Sequence, residues 1–314
     1  MIRAQFQTKK KFSSAPGTLF GFAPLDIVKD IVLDLVQKND PVLDNLSGYT
    51  GSFRDRKVIE LVFLLSEFWC QDSATKYQAV EILDRFMILY IEKLHTSCME
   101  AKRIPETLQA KSWSLMKGSL CDNFLLHLVS CIQIASKLCF HCHIINNSMV
   151  LQFLQLAGYT YKKDEVVKSE LTVLKTLHFQ LNVLSPLSYV EILLEVLGHS
   201  GCSLSLEHLR DMCLMVLDLV YLVRNPIYEM LLETSMGMPM PSRLQRSKFV
   251  SVKEDQMLLA TGVITTSACI LNQDSVNKVL DILNYITGIT INNMTEISSS
   301  ILKHCFGTAV LCNQ

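Results

Sequence analysis

Two stretches, Leu128–Ser136 (LVSCIQIAS) and Leu259–Ser267 (LATGVITTS), set small residues among branched ones and stand 131 residues apart. Such a segment suits a helix at the centre of a bundle, where neighbouring backbones approach closely. Its recurrence at domain-scale distance predicts two copies of one helical domain rather than a solenoid of short repeats. The length agrees: 314 residues is a prior of about two domains at ~150 residues each. The chain holds only 12 glycines and 8 prolines, well below the usual ~7% and ~5%. So few breakers favour long helices over a turn-rich sandwich or barrel.

Helical periodicity fills in the two sets. Leu25, Ile27, Val28, Ile31, Val32, Leu35 and Val36 form one stripe, and Pro41 is expected to end it. This helix has nothing of its own to pack on and must dock on a domain or a partner. Five helices follow: Lys57–Trp69; one bearing Ala79, Val80, Leu83, Phe86 and Met87; Asn123–Leu138; Met149–Leu156; and one opened by Asp164 and Glu165. Val167, Leu171, Leu174 and Leu177 are the expected apolar face of the last. The span from His95 to Gly118, holding Pro105, reads as a long connection. The second set is Tyr189–Leu197, Leu206–Leu232 broken near Pro226, Val252–Leu271, Ser275–Ile286 and Asn292–Cys305, with a loop from Thr234 to Phe249. Phe179, which closes the first set, is answered by Phe306. The expected organisation is a basic flexible arm (1–23), an N-terminal helix and linker (24–49), a first domain (50–183), a second (184–306) and a tail (307–314).

The 29 basic and 30 acidic side chains leave a net charge of −1, which excludes a polyelectrolyte binder by overall charge. Charged residues make up 19%, against ~25% in an average soluble domain. That predicts buried helices or a partner-covered face. The 11 cysteines are odd in number and lie scattered through apolar stretches, as buried thiols in a reducing compartment do. No 7–15-residue apolar signal core opens the sequence. Arg3, Lys9, Lys10 and Lys11 make the arm a mobile terminus, with an import patch or transit peptide as alternatives. Gln256–Gln273 carries no charge over 18 residues, yet Thr261, Thr265, Thr266 and Ser267 interrupt it. A buried helix is expected there rather than a membrane span.

No phosphate-binding glycine loop, nucleophile elbow or HExxH motif is present, so neither an enzyme nor a cofactor is expected. Cys139-Phe140-His141-Cys142-His143 crowds four ligand types into five residues. One backbone can hardly wrap an ion tetrahedrally at that spacing, so no metal is expected. Ser185-Pro186 reads as a rigid turn between the two sets, with proline-directed phosphorylation as the alternative. Lys137, Glu170 and the lysines 162, 163, 168 and 175 taken alone are solvated face residues.

Three blocks resemble the cyclin-box family: Ala79-Val80-Glu81-Ile82-Leu83-Asp84-Arg85-Phe86, Ile134-Ala135-Ser136-Lys137 and Ser169–Phe179 (SELTVLKTLHF). The resemblance implies an all-α fold of two tandem five-helix cyclin boxes preceded by an N-terminal helix. The match is specific over about 50–183 and weaker over 184–306. Further blocks, Phe63–Glu67 with Trp69-Cys70, Tyr77–Leu83, and Ser251–Asp255 with Leu258–Ala260, resemble a divergent branch of cyclin-like proteins acting on meiotic chromosomes.

In kinase-activating cyclins a Lys and a Glu of these motifs grip the kinase αC helix. By position they are Lys137 and Glu170, and Leu138, Leu174, Phe179 and Leu181 match the apolar contacts around them. The resemblance thus implies a non-enzymatic regulator that promotes maturation of recombination intermediates into crossovers. Its implied partner is a cyclin-dependent kinase. One alternative is a kinase-independent scaffold recruiting recombination or clamp-loader factors. Another is a transcription-factor-like cyclin fold that binds DNA through Lys162, Lys163, Lys168 and Lys175. The implied location is the nucleus and meiotic chromosomes, with the cytoplasm also open. Substrate-recruiting cyclins start their first helix with Met-Arg-x-x-Leu and a Trp three residues on. Here Arg54, Lys57 and Leu61 stand in that frame, so the usual apolar docking patch is expected to receive Arg54 and Lys57.

Overall fold

The computed structural model describes residues 20–306, apart from 45, 48, 101–105, 140–142, 182, 183, 202, 203 and 238–241. The basic residues of the arm, the 307–314 tail and the centre of the Cys139–His143 motif therefore lie outside the described residues. Among the described residues every regular element is helical, so the chain is all-α. Helix α1 (Leu25–Asp44) leads into a first set: α2 (Arg56–Phe68), α3 (Ser73–Glu100), α4 (Glu106–Asp122), α5 (Phe124–Leu138), α6 (Asn147–Leu156) and α7 (Lys163–Thr176). The second set is α8 (Pro186–His199), α9 (Leu206–Leu222), α10 (Arg224–Met236), α11 (Arg243–Lys248), α12 (Val250–Glu254), α13 (Gln256–Leu271), α14 (Val276–Thr287) and α15 (Ile291–Phe306).

The two recurring stretches are the two central helices. Every residue from Leu128 to Ser136 in α5, and from Leu259 to Ser267 in α13, is buried. Helix α5 packs on α3 and α7, and α13 on α8, α9 and α15. Three hydroxyls of α13 bond back to its own carbonyls: Thr261 to Leu258 at 2.9 Å, Thr266 to Gly262 at 2.7 Å and Ser267 to Val263 at 2.8 Å. Among the described residues no single helix is long and apolar enough to cross a membrane. Two five-helix sets, α2, α3, α5, α6, α7 and α8, α9, α13, α14, α15, are consistent with tandem cyclin boxes. Each carries extra helix between its second and third members, α4 in one and α10–α12 in the other. Ser185 is buried and stands just before Pro186 at the first turn of α8. Ser185 thus stands at the turn into α8 with its side chain little exposed.

Four expectations are corrected. The His95–Gly118 connection is mostly helix, since α3 runs on to Glu100 and α4 occupies Glu106–Asp122. Polar residues hid it: Thr96 and Ser97 return hydroxyl hydrogen bonds to the carbonyls of Glu92 and Lys93 at 2.9 and 2.8 Å, as such residues do inside helices. Part of Thr234–Phe249 is the short helix α11, started by a Ser242–Gln245 capping box. Helix α1 continues past Pro41 to Asp44, so the proline falls in the last turn, where its lost donor and its crowding of the preceding turn affect only the helix end. Arg54, finally, does not line a surface docking patch. It is buried, while Lys57 is exposed.

Arg54 anchors a joint between the two sets. Its guanidinium meets Glu81 of α3 at 2.6 Å, Glu254 of α12 at 2.9 Å and Asp84 of α3 at 3.5 Å. Arg224, which opens α10, meets Glu254 at 3.0 Å, and the Tyr221 hydroxyl donates to Glu81 at 2.9 Å. All six side chains are buried. Burial works against the charged form of Glu254, and Arg54 with Arg224 overcomes it, holding the carboxyl below its ordinary value. Beside this joint Tyr77 stacks on Tyr221 at 5.0 Å, and Lys76 pairs with Asp218 of α9 at 2.6 Å. Asp84 also accepts the Gly51 and Phe53 backbone N–H groups at 2.8 and 2.9 Å, fixing the turn that enters α2.

Helix α1 docks on the second set, not on the first that follows it. Val28 and Val32 bury against Val196 of α8, while Ile27 and Ile31 of the same sequence stripe stay exposed. The entry to α1 is held by Glu195, which accepts the Phe22 and Ala23 N–H groups at 2.8 and 2.7 Å. The backbones of Gly21 and Gly198 touch there. A Cβ on Gly198 would stand 2.6 Å from the Gly21 nitrogen, closer than any real contact. Gly198→Val is accordingly expected to lift α1 from α8. Limited proteolysis should cut within α1 much faster than in wild type, with a stability loss of about 1–3 kcal/mol. Unchanged cleavage kinetics would contradict this packing.

Candidate functional site

The last turn of α5 and the middle of α7 lie side by side. Lys137 is a basic residue at a helix C-terminus, where the helix dipole favours positive charge. Its ammonium donates to Glu170 Oε1 on α7. The Lys137 side chain is 41% exposed and that of Glu170 14%. Solvent reaches the pair from the Lys137 side and screens it, so its contribution to the fold is small although Glu170 is mostly covered.

Buried polar contacts one residue away set the register of the pair. Ser169 reaches His127 Nδ1 at 3.0 Å and the Ser130 hydroxyl at 2.8 Å, both on α5. His127 is also wedged edge-on against Phe86 and Tyr90. Burial pushes its imidazole down to about 4, so it is neutral near pH 7. Unfolded, it would protonate at ~6.5 and bind more protons than the folded chain between those values. Stability is therefore lost as pH falls from ~6.5 toward 4. Wild type should lose roughly 2 kcal/mol more than His127→Gln between about pH 7 and pH 5. Urea unfolding at both pH values checks this, and equal losses would contradict the buried neutral imidazole.

The end of α7 shapes the apolar rim. Phe179 N–H donates to the Leu174 carbonyl at 2.9 Å and His178 N–H to the Lys175 carbonyl at 3.1 Å. This is a Schellman closure, which pairs Leu174 with Phe179. His178 and Phe179 both have left-handed backbone, φ +50° and +59°, at a cost of roughly 1–2 kcal/mol each for residues with a side chain. Two side chains of α3 hold the strained segment: Arg85 donates to the Gln180 carbonyl at 3.1 Å and Gln78 to the Leu181 carbonyl at 3.2 Å. Asp84 and Arg85, adjacent in sequence, thus clamp opposite ends of the first set. Phe179 is left 63% exposed, projecting beside the ion pair's helix.

The structure brings Lys137 and Glu170 together and sets Leu138, Leu174 and Leu181 half-buried against the core, with Phe179 outside it. Val167 and Leu171, expected as core residues, are exposed on α7. Its buried face is Val166, Ser169, Val173 and Thr176, with Leu177 at its end. Val167 and Leu171 therefore extend the apolar surface along α7, past Glu170 toward Leu174. Lys162, Lys163, Lys168 and Lys175 are exposed on and beside the same helix. Among the described residues no cluster of three or more His, Cys, Asp or Glu is placed to hold a metal ion. Lys137 and Glu170 thus present one charge of each sign between α5 and α7, with exposed Val167 and Leu171 on the same helix as Glu170.

No protein-family profile matches the sequence. Two curated proteins do. The chain is 46% identical over 288 residues to cyclin N-terminal domain-containing protein 1 of Mus musculus, spanning 92% of this chain and 86% of the mouse protein. It is 46% identical over 290 residues to the Homo sapiens protein of the same name, spanning 92% and 87%. Identity at that level over nearly the whole chain carries the fold and the cyclin character together: the chain belongs to the family of cyclin N-terminal domain-containing protein 1.

Proposed function

We propose that this chain is a non-enzymatic, cyclin-like regulator of meiotic recombination that promotes crossover formation through protein contacts in the nucleus. Its mechanism is engagement of a cyclin-dependent kinase by the Lys137–Glu170 face. The observation that carries this reading is the Lys137–Glu170 ion pair, with Phe179 exposed beyond the end of α7 and Leu138, Leu174 and Leu181 only half-buried. Burial of apolar area supplies most of the affinity, at ~25 cal/mol per Å² before association costs. The paired charges orient the docked helix.

A second reading has its own observation. Leu64 and Phe68, one turn apart on α2, are exposed outside the Lys137–Glu170 set, and Phe68 touches Phe153 of α6 at 5.8 Å between ring centres. A scaffold that recruits recombination or clamp-loader factors would use such a strip without any kinase. Affinity capture of the tagged chain from meiotic cells, followed by mass spectrometry, separates the two. Kinase recovery lost on Phe179→Ala supports the first reading. Recovery of recombination factors alone, lost on Phe68→Ala, supports the second.

A further inference from the structure

A cavity of about 410 Å³ opens between the turn before α2, the second half of α3 and helix α4, lined by Tyr49, Phe53, Ile88, Ile91, Glu92 and Trp113 among others. It takes no part in the Lys137–Glu170 face. Its volume lies in the range that accepts one large side chain or a small ligand. The walls are aromatic and aliphatic, and the anionic group on them is Glu92. The Glu92 carboxylate has a weak contact of 3.3 Å from the Ser47 hydroxyl, and no basic side chain of the described residues forms an ion pair with it. His95 meets Trp113 edge-on at 5.2 Å and fixes the indole. The indole already attracts a cation, since the Lys117 ammonium lies 5.4 Å from its ring centre.

Aromatic walls and a carboxylate with no ion-pair partner among the described residues select against most occupants. A neutral apolar group would strip water from Glu92 without replacing it. An anion would face both the carboxylate and the negative ring faces. A bare ammonium satisfies the carboxylate but loses strong hydration in an apolar cavity. An alkylated ammonium answers all three constraints, because it keeps the charge, sheds little hydration and packs on ring faces. We propose that this pocket receives a methylated lysine side chain from a partner protein, with its stem along Ile88 and Ile91 and its head among Tyr49, Phe53 and Trp113 beside Glu92. The proposal is independent of the kinase reading.

The chain has two tryptophans, and Trp69 is buried, so Trp113 fluorescence reports on the pocket. The full chain is titrated with choline and with 3,3-dimethylbutan-1-ol, its neutral carbon isostere. Choline should give a saturable change and bind on the order of tenfold more tightly than the isostere. Glu92→Gln, an exposed substitution that leaves the fold alone, should weaken choline several-fold. Trp113→Phe should abolish the signal. A second titration compares the Nα-acetyl methylamides of trimethyl-lysine and lysine, and the methylated form should bind more tightly. Equal affinity for choline and its isostere would overturn the proposal, leaving an apolar pocket with no charge preference. So would lysine matching trimethyl-lysine, or no saturable choline signal up to tens of millimolar.

Discussion

Arg54→Met is expected to lower the unfolding free energy by about 3–5 kcal/mol. The guanidinium is the shared partner of Glu81, Glu254 and Asp84 in a site closed to water. Removing it leaves three carboxylates against Arg224 alone, with no solvent to take up the imbalance. Breaking a buried pair costs far more than the intact pair contributes, since the orphaned charge keeps its desolvation penalty. For a chain of this size the loss corresponds to a melting temperature lower by roughly 5–8 °C. The two sets of helices share this joint, so their unfolding should also become separable, seen as a second calorimetric transition. Arg54→Lys keeps the charge but not the fork that serves three carboxylates at once, and should fall between. Calorimetry on the three proteins checks the order. A loss under about 1 kcal/mol for Arg54→Met would contradict the joint.

The second large effect is on binding, not folding. Glu170→Lys should abolish kinase association while leaving the fold intact. It places two ammonium groups, Lys137 and the new lysine, on a face that presents one charge of each sign. Like charges at a desolvated interface cost several kcal/mol, enough to carry a micromolar complex beyond detection. In the free protein the cost should be modest, because Lys137 stays open to solvent at 41% exposure although Glu170 itself is only 14% exposed. Circular dichroism and the melting temperature of the variant should stay close to wild type. A variant that melts far lower would move Glu170 from the partner face into the structural frame.

What the sequence disclosed follows from physics with a local range. The central helices α5 and α13 were legible because burial on all sides requires an uncharged run with small residues, whatever the partners. The Lys137–Glu170 pairing was reached only through family resemblance, 33 residues apart. Periodicity misassigned part of α7: Val167 and Leu171 repeat as a core face does, yet both are exposed, while Leu174 packs half-buried against the core. The same ambiguity left Ile27 and Ile31 of α1 exposed. Helix α4 and the end of α3 were hidden by weak amphipathicity, which periodicity cannot detect. Arg54 was misplaced because its partner Glu254 stands 200 residues away. Nothing near Arg54 in the chain signals burial, and an arginine with no visible partner reads as surface.

The central claim is that the Lys137–Glu170 face docks a kinase helix by its charge polarity as well as its apolar rim. The most direct test is the affinity of purified cyclin-dependent kinases, taken as a panel, for three proteins: wild type, Glu170→Lys, and the double reversal Lys137→Glu with Glu170→Lys. The double reversal restores the surface ion pair with opposite polarity. The account predicts micromolar or tighter binding of at least one kinase by wild type. It predicts loss in the single variant and no recovery in the double variant, with all three equally folded. Equal kinase binding by all three, or by none of them, would contradict it.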